Sequence, residues 1–260
     1  MRGFRPAVVA ILLLALAVTA QAAPVESVNI GLRDVIDTVE KSYRSLADVT
    51  ADFVQRSTLA AKNREMRADG QMFLKTATGN QPLKFRFDYF RPTSHEVVSD
   101  GRTLWIYLRD DNKVIQSDVS FVFNPFEFDP TRNAATNFLQ GLGRISGDFQ
   151  INFSPQANDI AGNYILELNP RRSMATIQKL FIVVNRDTVM DYVRNNRTFR
   201  VDINRPWLAF PVLSTTMVDH QGNTTTMEFS NIKPNGRLID DLFIFNVPPG
   251  ASVVQPPRGR

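Results

Sequence analysis

Residues 83–90, Leu-Lys-Phe-Arg-Phe-Asp-Tyr-Phe, constrain this chain more than any other stretch. Leu83, Phe85, Phe87 and Tyr89 fall on one side of an extended backbone, and Lys84, Arg86 and Asp88 on the other. Only a strand gives side chains a period of two; a helix would scatter these rings around its circumference. The strand has one wet face and one face of bulky rings, so the sheet containing it must hide the second face.

The same signal recurs along the chain. Val49, Ala51 and Phe53 alternate with Thr50 and Asp52, and residues 71–75 read as a second strand after a polar connection at 61–69. Pro92 ends the ring-bearing strand. Residues 95–99 and 103–108 form a hairpin about Asp100-Gly101, and Asp110-Asp111-Asn112 turns the chain into a strand at 113–118. Residues 124–131 carry two prolines and two aromatics and read as a packed loop. Residues 133–142 read as a short helix stopped by Gly143. Strands are predicted again at 148–153, 163–168, 177–184, 212–219, 224–229 and 242–245, with a hairpin of 189–194 and 198–203 about Asn195-Asn196. A loose tail is expected from 248 to 260. Short, turn-punctuated strands predict an antiparallel sheet that curls to bury its apolar face.

One strong helix precedes the strands. Over residues 31–47, Leu32, Val35, Ile36, Val39, Tyr43 and Leu46 fall on one stripe, with Arg33, Asp34, Asp37 and Lys41 elsewhere. With the helix at 133–142, it can cover one concave face and no more. Before it, Arg2 and Arg5 precede an apolar run at 7–17 and the small-x-small site Ala20-Gln21-Ala22, the pattern of an export signal over residues 1–22. No Cys stands near that site, so the mature chain is not itself a lipoprotein. One domain is expected over 23–260, soluble after processing.

Composition excludes several function classes. The formal charge of +4, half of it from Arg2 and Arg5, is too small to argue for nucleic acid. With no cysteine there is neither a disulfide nor thiolate chemistry. His95 and His220 lack metal-ligand spacing, and no nucleophile-elbow or phosphate-loop pattern occurs. Asp110-Asp111 and Asp240-Asp241 read as solvated turn carboxylates, and Arg171-Arg172 as a solvated loop pair. No enzyme, metal or cofactor is expected. The 19 phenylalanines call for either a large core or an apolar cavity, and the alternating ring face is compatible with both.

Three blocks carry a family resemblance. Ala51-Asp52-Phe53-Val54-Gln55 follows the amphipathic helix. Phe85-Arg86-Phe87-Asp88-Tyr89-Phe90-Arg91-Pro92 is followed by Val98-Ser99-Asp100-Gly101-Arg102-Thr103-Leu104-Trp105-Ile106-Tyr107. Phe243-Ile244-Phe245-Asn246-Val247-Pro248-Pro249-Gly250 closes the chain. In order and spacing these resemble the LolA family across most of the mature chain.

The resemblance implies a mainly β fold with a few helices: an incomplete, unclosed antiparallel β-barrel with an α-helical lid. It implies a monomeric periplasmic chaperone that takes acylated lipoproteins from an inner-membrane ABC-type release complex to an outer-membrane acceptor. The cavity would be lined by Phe53, Met72, Leu74, Phe85, Phe87, Tyr89, Leu104 and Ile106. The lid would use Leu32, Val35, Ile36, Val39, Phe138, Leu139 and Leu142. Of residues 104–107, Leu104 and Ile106 are taken as inward and Trp105 and Tyr107 as outward.

Alternatives on the same scaffold are a regulatory sensor of the RseB/MucB group and a carrier of another lipid. The chain departs from the family pattern in three places. Thr76 stands where an Arg after Lys75 would latch the lid, residues 77–81 look inserted, and residues 188–207 look long for the family.

Overall fold

The computed structural model describes residues 29–118, 141–174, 177–199 and 205–255. Its strands form one twelve-stranded sheet in the order β12-β6-β5-β4-β3-β2-β1-β11-β10-β9-β8-β7. The strands β1 (Asp48–Leu59), β2 (Arg64–Lys75), β3 (Lys84–Arg91), β4 (His95–Ser99), β5 (Thr103–Leu108) and β6 (Lys113–Asp118) form one meander. A second runs through β7 (Phe149–Asn158), β8 (Tyr164–Pro170), β9 (Lys179–Val184), β10 (Val212–Val218) and β11 (Thr224–Pro234). The halves join where β1 pairs with β11. The outermost strands, β7 and β12 (Ser252–Val254), do not pair, so the sheet stays open.

Curl follows from what is buried together. Phe85 and Phe87 of β3 share one cluster with Leu166 and Leu168 of β8 and with Ile182 of β9, many strands away in sheet order. A sheet that bends, with helices in its hollow, buries residues so far apart in a single cluster. The helix α1 (Leu32–Ser45) adds Val35, Ile36, Val39 and Tyr43 to that cluster. Its first turn is closed by Gly31 N, which donates to Asp34 Oδ2 at 3.0 Å.

Several sequence expectations are corrected. The polar connection at 61–69 is mostly strand: only Ala60–Lys62 turns, and β2 starts at Arg64, because Asn63 takes a left-handed conformation (φ 43°) that reverses the chain tightly. The hairpin about Asn195-Asn196 does not form. Residues Arg186–Arg194 are a helix, α3, capped by the Asn185 side chain, which accepts from Thr188 N at 2.9 Å. Period-two reading failed there because Val189 and Tyr192 are three residues apart on one helical face. Gly141 is helical, and the 3-10 turn Leu142–Arg144, which holds Gly143, follows it and runs into a one-turn helix, α2 (Ile145–Asp148).

The strand expected at 242–245 is instead a 3-10 turn, Asp240–Phe243. Phe245 beyond it packs against Trp105 and Tyr107 at ring distances of 6.1 and 5.9 Å. The supposed loose tail supplies β12, which pairs parallel with β6 and gives the otherwise antiparallel sheet one parallel pair. A bare β6 edge would expose a row of unpaired backbone groups, which the tail caps. Asp240 is not simply solvated: Lys75 and Lys84 lie 2.7 and 3.2 Å from its oxygens and hold its carboxyl below the usual range. The expected loop at 124–131, residues 133–140 of the helix expected at 133–142 and the export signal at 1–22 lie outside the described residues.

Candidate functional site

Register sets the concave face. Across the sheet, Ala51 stands opposite Met72, Met72 opposite Phe87, Phe87 opposite Val97 and Val97 opposite Ile106. The neighbouring row runs Val49, Leu74, Phe85, Ser99, Leu104. Phe53, Met72, Leu74, Phe85, Phe87, Tyr89, Leu104 and Ile106 are each at most 4% exposed and belong to one cluster. Leu104 and Ile106 point inward, and Trp105 and Tyr107 pack outward under Phe245.

A third row passes through Phe53, Gly70, Tyr89 and His95. Gly70 is the gap in that row, and it must be glycine. A Cβ there would stand 2.0 Å from the Asp88 carbonyl oxygen and 2.8 Å from Phe53 Cζ. The Phe53 ring lies across the space and meets Tyr89 edge-on, 4.9 Å between centroids, and Phe87 at 5.7 Å. Tyr89 Oη donates to Gln55 Oε1 at 2.9 Å, and His95 stacks on the Tyr89 ring at 4.0 Å. Burial pushes the Tyr89 phenol up, so it stays a neutral donor.

The sequence does not single out Gly70; Gln55 enters only within the block 51–55, and His95 only as a histidine without metal-ligand spacing. An isolated glycine beside a strand signals close backbone approach, but Gly70 fell just outside the strand expected at 71–75.

The helix α1 occupies the apolar side of this face. Val35, Ile36 and Val39 are buried in the cluster and Leu32 packs at its margin. Leu142 is buried with them; Phe138 and Leu139 lie outside the described residues. One flank of α1 is tied down by polar bonds. Glu40 accepts from Ser146 N at 2.9 Å and from Ser146 Oγ at 2.7 Å, and Arg44 donates to the Gly143 carbonyl at 2.9 Å.

Thr76, standing where the family latch would be, still bonds to the exit of α1. Its hydroxyl donates to the carbonyls of Leu46 and Ala47 at 2.5 and 3.1 Å. An open groove of about 480 Å³ runs beside this end of the helix, lined by Tyr43, Arg44, Thr76, Ala77, Leu83, Gly143 and Arg144. The Tyr43 hydroxyl is buried and has no hydrogen-bond partner among the described residues.

Among the described residues no three metal-ligating side chains cluster, and no helix is long and apolar enough to cross a membrane. What fold and site define is an open-barrel protein whose ring-lined concave face is filled by an amphipathic helix.

The chain belongs to the LolA family: the model of the outer membrane lipoprotein carrier protein LolA matches residues 44–194. It is similar to an outer-membrane lipoprotein carrier protein of Methylobacillus flagellatus, 21% identical over 85% of this chain and 89% of the relative. It is also similar to one from Albidiferax ferrireducens, 25% identical over 85% and 90%. Among solved structures, a LolA superfamily protein from Nitrosomonas europaea is 15% identical, with 84% of this chain and 99% of that one covered at a TM-score of 0.38.

Proposed function

We propose that this protein is a periplasmic carrier that shelters the acyl chains of lipoproteins between the inner and outer membranes. The observation that carries this reading is the seating of α1: a helix with a polar back presses its apolar stripe onto a face of interlocked rings. Each methylene of an acyl chain exposed to water costs about 0.8 kcal/mol, so one chain of membrane length represents on the order of 10 kcal/mol. A soluble carrier must offer matching apolar surface and conceal it when empty, or it aggregates. The stripe of α1 stands in for the guest, and net affinity is the difference between two burials. Hand-off then needs no nucleotide hydrolysis by the carrier.

The site proposed comprises Phe53, Met72, Leu74, Phe85, Phe87, Tyr89, Leu104 and Ile106 as cavity wall once α1 moves. Leu32, Val35, Ile36, Val39 and Leu142 form the lid side. The groove beside Tyr43 opens next to this wall. The reading includes cleavage after residue 22, a single mature domain over 23–260, loading by an inner-membrane ABC-type complex and delivery to an outer-membrane acceptor.

Mass spectrometry under native conditions tests it. Protein drawn from the periplasm of cells making lipoproteins is expected to carry acylated polypeptide, one per chain. Recovery of phospholipid alone would assign it to another lipid, and recovery of nothing apolar would remove the carrier reading.

A further inference from the structure

We infer that residues 186–199, in the excursion between β9 and β10, are a strap that holds α1 on the concave face and must let go before an acyl guest enters. This rests on the function proposed above and names the device that regulates the same site. Val184 and Val212 are cross-strand partners, so the chain leaves the sheet and returns to the rung it left. Antiparallel neighbours are ordinarily joined by about two to five residues. Here the excursion builds α3, a tight turn and the 3-10 turn Pro206–Ala209.

The excursion lies on the back of α1. Asp34, Asp37 and Lys41 recur at three- and four-residue spacing, on the side of the helix away from Val35, Val39 and Tyr43. All three meet the strap. Arg197 Nε and Nη2 donate to the two Asp34 carboxylate oxygens at 2.6 and 3.3 Å. Lys41 Nζ donates to Tyr192 Oη at 2.6 Å and to the Arg197 carbonyl at 3.3 Å, and Tyr192 Oη reaches Asp37 Oδ2 at 3.5 Å. The Arg197 hydrogen bond holds the Asp34 carboxyl below its ordinary range.

Two further observations agree. Thr38, a polar residue one turn after Asp34 on the flank of α1, is fully buried, so the cover of the helix reaches past its apolar stripe on that side. A helix resting on a sheet ordinarily turns its polar back to water. Asn196 and Arg197 both take left-handed backbone (φ 53° and 58°), a strained pair of non-glycine residues that places the guanidinium on Asp34. Strain of this kind persists where surrounding contacts fix it, and it marks a segment with an alternative to relax into.

The chain has no cysteine, which makes the test clean. Cysteines are placed by Asp34→Cys and Arg197→Cys and bridged with a bismaleimide that contains a cleavable disulfide. Uptake of a fluorescent triacylated lipopeptide is then followed. Bridged protein is expected to take up none, and reductive cleavage to restore uptake. The unbridged double variant is expected to load severalfold faster than the parent, with unchanged circular dichroism. Arg197→Gln, at an exposed side chain, gives the same reading without a crosslinker: severalfold faster loading. Bridged protein loading at the unbridged rate, or Arg197→Gln loading at the parent rate, overturns the strap while leaving the carrier in place. A parent chain that binds no lipopeptide overturns both.

Discussion

Trimming α1 at Val39 separates a lid from an ordinary core helix. Val39 is 1% exposed, so Val39→Ala removes two carbons whose burial is complete in the closed form. At about 0.8 kcal/mol each, the closed form loses about 1.5 kcal/mol relative to one in which α1 has swung out. The apparent Kd for a guest scales inversely with the fraction of competent protein, so a triacylated lipopeptide should bind roughly tenfold tighter. Global stability should fall together with this, by roughly 3–6 °C in Tm for a chain of this size. Fluorescence titration and a thermal melt on the same sample read both quantities. If the Tm falls while lipopeptide affinity stays unchanged or weakens, α1 is structural core and the exchange of helix for hydrocarbon is refuted.

Other consequences are equally direct. Gly70→Ala drives a Cβ into the Asp88 carbonyl, which no rotamer relieves; a loss above about 2 kcal/mol in urea unfolding is expected, and a neutral outcome would contradict the close β2–β3 approach. Tyr89→Phe deletes the bond to Gln55 and should cost about 1 kcal/mol, read by the same melts. The pH dependence of loading follows from Asp34, which is faced by Arg197 of the strap, by Asp37 and Lys41 of its own helix and by Tyr164 of β8. Its carboxyl is depressed in the folded state, so its contribution is complete above the ordinary value of about 3.9 and is lost as pH falls through the lowered one. Lipopeptide loading should therefore speed up below about pH 4, and Asp34→Asn should flatten that step.

The strands were legible where one face is rings and the other charge. Phe85, Phe87 and Tyr89 could be placed on one side because a single-residue slip would bury Lys84, Arg86 and Asp88 instead. The α1 stripe was legible for the same reason at period 3.6, although its cover behind was not: Asp34, Asp37 and Lys41 look like a solvated face until α3 and Arg197 are brought onto them. That contact joins residues far apart in the chain, and local periodicity holds no trace of it. The stretch holding Val189 and Tyr192 was misread as strand because so short a segment fits both periods; the Asn185 cap was the signal available. The tail lacked alternation because β12 is only three residues long and wholly exposed, paired for its backbone alone. Thr76 stands where the family resemblance would put a guanidinium, and its hydroxyl bonds to the carbonyls at the α1 exit.

Hydrogen exchange on α1, with and without a bound triacylated lipopeptide, tests the exchange of helix for hydrocarbon most directly. Amides of residues 32–45 should lose protection on loading while those of β3 keep or gain it. Unchanged protection of α1 in a fully loaded sample would mean that the guest sits elsewhere and that the ring-lined face is only a core.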